Sequence, residues 1–166
     1  MAEAATQQTP TEALIATLDL PQGGWSDAAR KDALSRLQQA GLPERRDEYW
    51  KYTRPDTLTQ PQAISAAVRA SEDVVLFDQI DRLKLVFVDG VFDADASDDL
   101  ALEGITIERL AQADADLHWA RDLYGTLEKN GQTPVARPLA ALNTAFAADG
   151  VLIHVTDKVS KPVNIV

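Results

Sequence analysis

The chain has 166 residues and a mass of 18.1 kDa, which fits one ordinary domain with a small appendage. With 45% apolar and 25% charged residues, its composition is that of a soluble globular protein. It has no cysteine, which excludes a disulfide, a thiolate nucleophile and a cysteine-ligated metal centre on these residues. The net charge of −10 argues against nucleic acid and anionic membranes as partners, because both attract clustered Lys and Arg.

The negative charge is concentrated in residues 71–117. This stretch holds 13 acidic and 3 basic side chains, which accounts for the whole net charge, and we interpret it as a solvated face. Residues 1–10 lack the basic segment and apolar core of a signal peptide, and the apolar run 85–88 is too short to cross a bilayer. The sequence therefore predicts a cytoplasmic protein.

The first part of the chain has helical signals. Residues 9–12 (TPTE) form a capping-box pattern and predict a helix that continues to about residue 20. A second helix is predicted over residues 26–40, with Arg30 on its outer face and Gly41 as its C-cap. The apolar positions of this second helix are Ala33, Leu34, Leu37 and Ala40. Two weaker helices are predicted over residues 47–52 and 62–70.

The hydrophobic period then changes from about 3.6 to two. Short strands are predicted at residues 74–77, 83–88, 91–92, 105–107, 151–155 and 163–166. Asp89-Gly90 lies between two apolar runs, which is a strong hairpin signal because both turn residues must adopt positive φ. The final strand would have an open edge, so we expect it to be continued by further polypeptide or to promote association.

Two helices are predicted between these strands, over residues 117–129 and 138–149. The apolar stripe of the first contains Trp119, Leu123 and Leu127, and that of the second contains Leu139, Leu142, Asn143 and Phe146. We expect Trp50, Phe87, Trp119 and Leu123 to be buried.

Acidic side chains and one histidine suggest two weak metal hypotheses. Asp114, His118 and Asp122 are spaced by four, so one helix face could bind a divalent ion and support a metal-dependent enzyme. We favour a polar face in which the carboxylates hold His118 protonated. Residues 93–97 resemble the start of a calcium loop, but its positions six and twelve hold Asp98 and Gly104 in place of Gly and Glu, which favours a solvated loop. No nucleophile elbow or phosphate loop is present, so we predict no catalytic residue, metal site or cofactor.

Residues 43–53 (PERRDEYWKYT) are candidates for contact with a partner. Arg46, Trp50 and Tyr52 belong to the residue types that dominate interaction hot spots. We favour the simpler hypothesis, in which Trp50 is a core anchor and Arg46 pairs with an acidic neighbour such as Glu48.

Three blocks resemble the SufB/SufD family of the SUF iron–sulfur cluster assembly system, and are most similar to its SufD branch. They are residues 43–53, residues 83–92 (LKLVFVDGVF) and residues 142–150 (LNTAFAADG), followed by strand 151–155. The resemblance implies a scaffold subunit that is not itself an enzyme. It also implies SufB-like and SufC-like partners, which bind mostly through regions beyond Val166, and the SufC-like partner is the ATPase of the complex.

The same resemblance implies an α+β fold, in which a mainly helical N-terminal domain with a β-hairpin leads into the first strands of a right-handed parallel β-helix. We expect a tail and N-terminal helix over residues 1–24 and the helical domain with its hairpin over 25–137. Residues 138–166 would then form a lead-in helix and the first strands. The alternatives are a stand-alone acidic interaction module that binds a basic partner and, less favoured, the metal-dependent enzyme.

Overall fold

The computed structural model describes residues 8–60, 76–113, 115, 118–127, 130 and 135–166. These residues form a mixture of helices and short strands, as the α+β prediction required. They fall into two compact units, the first drawn from residues 1–64 and 114–147 and the second from 65–113 and 148–166. The three segments proposed from the sequence, and the β-helix, stay predictions.

Helix α1 spans Pro10–Ile15 in the first unit and begins with the predicted capping box. The Thr9 hydroxyl accepts a hydrogen bond from the Glu12 amide at 3.2 Å, and the Glu12 carboxylate accepts one from the Thr9 amide at 2.8 Å. The helix is shorter than predicted. The Thr17 hydroxyl donates to the Leu14 carbonyl at 2.8 Å, so the chain leaves the helix in a tight turn.

Helix α2 spans Asp27–Ala40, as predicted, and ends at Gly41 with φ 72°. The prediction that Arg30 lies on the outer face of this helix was wrong, because Arg30 is only 4% exposed. Its Nε donates to the Ser26 hydroxyl at 3.1 Å and its Nη1 to the Ala145 carbonyl at 3.0 Å. Position 30 therefore faces the helix that α2 packs against, where the Ala145 carbonyl and the Ser26 hydroxyl replace water around the cation.

That partner is helix α3, which spans Pro138–Phe146 and ends three residues earlier than predicted. Its buried positions are Pro138, Ala141 and Ala145 rather than the predicted stripe of larger side chains, in which Asn143 is exposed. The small buried alanines let two helix backbones approach closely, while the larger residues flank the contact. Ala33 and Leu37 of α2 are fully buried in the same unit.

The helix predicted over residues 117–129 is wrong in its described part. Only Trp119–Asp122 is helical, as a 3-10 turn, and Gly125 adopts φ 71°. Leu123 is 61% exposed, so its predicted burial is also wrong. Trp50, Phe87 and Trp119 are half-buried. The prediction over 47–52 reduces to a 3-10 helix at Glu48–Trp50, and the one over 62–70 lies outside the described residues.

The described residues of the second unit form five strands in two sheets. Strands β1 (Leu83–Val88) and β2 (Val91–Asp93) form the predicted antiparallel hairpin, with φ of 52° at Asp89 and 80° at Gly90. Strand β5 (Val163–Ile165) pairs with β1 in parallel, and β3 (Ile105–Arg109) pairs with β4 (Val151–Val155) in an antiparallel sheet. Of the strand predicted over 74–77, the described residues Leu76 and Phe77 lie in a turn instead.

The core of this unit is built on β1 and β3. Leu83 and Leu85 are 2% and 1% exposed, and Ile107 is 8% exposed. Half-buried apolar residues from the other strands and from one loop surround them: Phe92, Leu100, Leu102, Ile105, Val151, Ile153 and Val163. Every strand of the unit thus contributes to a single apolar cluster.

Gly104 lies just before β3, where the backbone makes a close approach. It has φ 80°, and its carbonyl accepts hydrogen bonds from the amides of Thr156 and Asp157 at 2.9 and 3.0 Å. A Cβ atom at this position would lie 2.8 Å from the Lys158 carbonyl oxygen. Both the backbone conformation and the available space therefore require glycine here.

We expect Gly104→Ala to destabilise the second unit more than Gly90→Ala does. Both glycines have φ 80°, but a Cβ at Gly90 meets nothing within 4 Å, so only Gly104→Ala adds a steric clash. Strain at φ alone costs about 1 kcal/mol, and the clash should roughly double that cost. Amide hydrogen exchange of β3 measures the difference, and equal losses in the two variants would contradict the steric account.

An ion pair joins the end of β3 to the residue that precedes β4. The Nε of Arg109 donates to Oδ2 of Asp149 at 3.1 Å, and Nη2 donates to the same oxygen. The other oxygen, Oδ1, accepts from the amides of Ala111 and Gly150 at 3.1 and 2.9 Å. Burial by itself would raise the pKa of Asp149, but these hydrogen bonds outweigh it and hold the pKa below its ordinary value.

Asp149→Asn should therefore destabilise the second unit by about 2 kcal/mol at neutral pH. A carboxyl whose folded pKa is depressed stabilises the fold above its unfolded pKa, and this contribution is lost as the pH falls through the folded pKa. The difference between wild type and variant should thus shrink below about pH 4. The exchange rates of β3 and β4 amides report it, with Asp95→Asn as a matched exposed control, and a difference independent of pH would refute the assignment.

Candidate functional site

The segment over residues 43–53 folds as a turn followed by a 3-10 helix. Pro43 is buried, and Oδ2 of Asp47 accepts a hydrogen bond from the Glu44 amide at 2.9 Å, which closes the turn. Glu48–Trp50 forms the 3-10 helix, and the fully buried Pro55 follows it and anchors the downstream end. Two prolines thus fasten the ends of a segment whose polar side chains are exposed.

The three partner-contact candidates lie in this segment with different exposures. Trp50 is half-buried, with the Tyr49 ring 6.4 Å away in an edge arrangement. Arg46 is exposed, and Tyr52 is 91% exposed with Nζ of Lys51 5.5 Å from its ring centre. The segment therefore combines one anchored aromatic ring with an arginine and a tyrosine that solvent can reach.

The metal hypothesis on Asp114, His118 and Asp122 is not supported by the backbone around His118. Asp114 lies outside the described residues, and His118 is extended, immediately before the 3-10 turn that contains Asp122. Nδ1 of His118 accepts the Ala120 amide at 3.1 Å, so this nitrogen caps the turn. Within the described ranges, no group of three or more His, Asp or Glu side chains is placed to hold a metal ion.

The carboxylates of the calcium-like loop bind backbone amides. Oδ1 of Asp93 accepts from the amides of Asp95 and Ala96 at 3.1 and 3.0 Å. Oδ2 of Asp98 accepts from the backbone amide of Lys84 at 2.6 Å. The Ser97 hydroxyl accepts from the Val86 amide at 2.9 Å. These side chains complete the hydrogen bonding of β1 beyond the short strand β2, a structural role for a loop whose sequence resembles a metal site.

The sequence did not predict a cation–aromatic cluster around Arg30. The guanidinium carbon of Arg30 lies 5.4 Å from the ring centre of Tyr124, whose hydroxyl donates to the Thr144 carbonyl at 2.8 Å. The Trp25 ring is perpendicular to the Tyr124 ring, with 5.5 Å between the ring centres. It also stacks on the His118 ring, with 4.6 Å between the ring centres. The sequence indicates the burial of Arg30 only by spacing: it lies one helical turn before Ala33 and two before Leu37, on the same side of α2.

Comparison with known proteins identifies the family of this chain. Residues 22–165 match the family described as the SufBD protein N-terminal region. The chain is also 31% identical over 144 residues to the iron–sulfur cluster assembly protein SufD of Escherichia coli (strain K12). This similarity covers 76% of the chain and 31% of the relative, so the chain spans about a third of that protein's length. No described helix is both long and apolar enough to cross a membrane.

The matched range contains all three blocks that carried the sequence resemblance. Residues 43–53 form the 3-10 segment, residues 83–92 form the β1–β2 hairpin, and residues 142–150 lead from α3 to β4. The match thus extends through elements of both compact units and is not confined to one short motif. The chain is SufD-like and belongs to the SufB/SufD family, whose N-terminal region it represents.

Proposed function

We propose that this chain acts in iron–sulfur cluster assembly, as the N-terminal structural part of a SufD-like scaffold subunit. The observation that carries the proposal is the family match over residues 22–165, together with the identity to a relative named for that process. The chain functions in the cytoplasm beside SufB-like and SufC-like subunits. Other parts of the scaffold make most of the contacts with them.

In this proposal the segment is not an enzyme and carries no cofactor of its own. The sequence has no cysteine to ligate a cluster. The polar groups that looked most like a metal site have structural tasks, since Nδ1 of His118 caps a turn and the carboxylates of Asp93 and Asp98 hold backbone amides. The chemistry of assembly is then supplied by other parts of the complex.

We further propose that residues 138–166 lead into a right-handed parallel β-helix. The parallel pairing of β1 with β5 supports this, because Leu83 and Val163 are neighbours although they are far apart in the chain. A parallel β-helix stacks strands from successive turns of the chain in this way. In this scheme α3 is the lead-in helix, and β4 and β5 belong to the first turns.

Arg46, Trp50 and Tyr52 are proposed to contact a partner protein. Tyr52 and Arg46 are exposed on a segment fastened by buried Pro43 and Pro55, so their presentation costs little conformational entropy. This surface would serve equally in a stand-alone interaction module, and the identity of the captured partners decides between the two functions.

Affinity capture of the tagged protein from its own cells tests the proposal, and SufB-like and SufC-like proteins are expected in the eluate. If partner contact runs through this segment, the double substitution Arg46→Ala with Tyr52→Ala should lower their recovery several-fold, since one hot-spot side chain contributes about 1–2 kcal/mol.

Arg45→Ala is the matched control, because it removes a neighbouring exposed arginine outside the proposed set. Equal melting temperatures show that both variants fold. Capture of proteins unrelated to cluster assembly, without SufB-like or SufC-like proteins, would overturn the scaffold function.

A further inference from the structure

A groove in the first unit runs between the segment over residues 43–53 and the start of α3. Its larger part has a volume of about 580 Å³ and is lined by Tyr49 and Trp50 on one side and by Val135 and Pro138 on the other. Ala40, at the end of α2, lines it as well. It combines apolar and aromatic side chains with polar ones, as sites that accept a side chain or a small ligand do.

Three features make this part of the groove attractive to a positive charge. Asp47 and Glu48 line it, and both are exposed. The C-terminus of the 14-residue helix α2 also ends here, and its last turn contains no basic residue to offset the partial negative charge of the helix end. The aromatic side chains of Tyr49 and Trp50 line it as well, and an aromatic ring attracts a cation through its negative quadrupole. All three features favour a cation.

The adjoining part of the groove limits what such a cation can be attached to. It has a volume of about 410 Å³, shares Ala40, Val135 and Pro138 with the larger part, and is lined by Arg36 and Arg137. Arg36 is paired with Asp32, whose Oδ2 accepts from its Nε at 3.1 Å, so a run of several basic residues would be repelled here mainly by Arg137. A single cation that is followed by small apolar residues meets complementary surfaces in both parts.

We propose that this groove binds one lysine or arginine side chain on an extended segment of a partner protein, flanked by small apolar residues. The cation lies against Tyr49 and Trp50 and beside the Asp47 and Glu48 carboxylates, while the flanking residues cover Val135 and Pro138. The proposal deepens the suggested partner contact of Trp50 and rests on it only for the existence of a protein partner. The chain uses the same chemistry nearby, where Lys51 lies over the Tyr52 ring.

Titration of the 166-residue chain with three capped peptides, followed by amide and indole NMR signals, tests this binding directly. The peptides share the sequence Ala-Ala-X-Ala-Ala, with X as Arg, Gln or Glu. The Arg peptide should give saturable shifts at Ala40–Leu42, Glu48–Trp50 and the Trp50 indole. The Gln peptide should bind at least about threefold more weakly, and the Glu peptide should give no saturable shift.

Glu48→Gln should weaken the Arg peptide about threefold, whereas Glu103→Gln, the same charge change at an exposed site of the second unit, should not. Equal binding of the three peptides, an unchanged affinity in Glu48→Gln, or no saturable shift with the Arg peptide would each overturn the proposal. The outcome is separable from that of the scaffold function. Capture of SufB-like and SufC-like proteins with a failed titration overturns only the groove, and the reverse result overturns only the scaffold role.

Discussion

Strand β1 is the element on which the second unit depends, because it pairs on both edges and buries its apolar side chains in the core. One edge pairs with β2 and with the loop that follows, where Asp98 and Ser97 accept the Lys84 and Val86 amides. Its other edge pairs in parallel with β5. Leu83 and Leu85 are the most deeply buried members of the cluster. Pairing on both edges gives a central strand hydrogen-bond partners for the backbone groups that burial removes from water.

The first unit depends on a buried cation instead. Arg30 contacts the Ser26 hydroxyl, the Tyr124 ring and the Ala145 carbonyl near the C-terminus of α3, so it has hydroxyl, aromatic and carbonyl partners among the described residues. Such a site joins three stretches of chain through directional contacts, which apolar packing of alanines alone would not orient. The same unit contains the segment over residues 43–53, on which we propose partner contact.

The family and the fold class could be predicted from the sequence, and the candidate site only in part. Three blocks, at 43–53, 83–92 and 142–150, can be recognised from consecutive residues alone, and the family match contains all of them. Trp50 could be singled out by residue type alone. The groove beside it could not, because Val135 and Pro138 reach it only through the packing of α3 on α2.

Two of the errors, the helix over 117–129 and the placement of Arg30, share one physical origin. Residues 118–127 carry helical periodicity, but His118 caps a turn and stacks on Trp25, and Gly125 adopts a left-handed conformation. Tertiary contacts thus outweighed a weak local preference. Likewise Arg30 looked like a solvent-facing residue by its charge, although its position on α2 faces α3.

By itself the sequence determined the features that neighbouring residues enforce: the Thr9–Glu12 capping box, the Gly41 helix end, and the Asp89-Gly90 hairpin. Their backbone geometry depends on hydrogen bonds and φ angles within a few residues, so a short window contains all the information. Only the tertiary structure decided the burial of Arg30, the pairing of Arg109 with Asp149, and the parallel partner of β1. Each of these depends on groups that are distant in the chain, and no local pattern specifies which distant group will meet them.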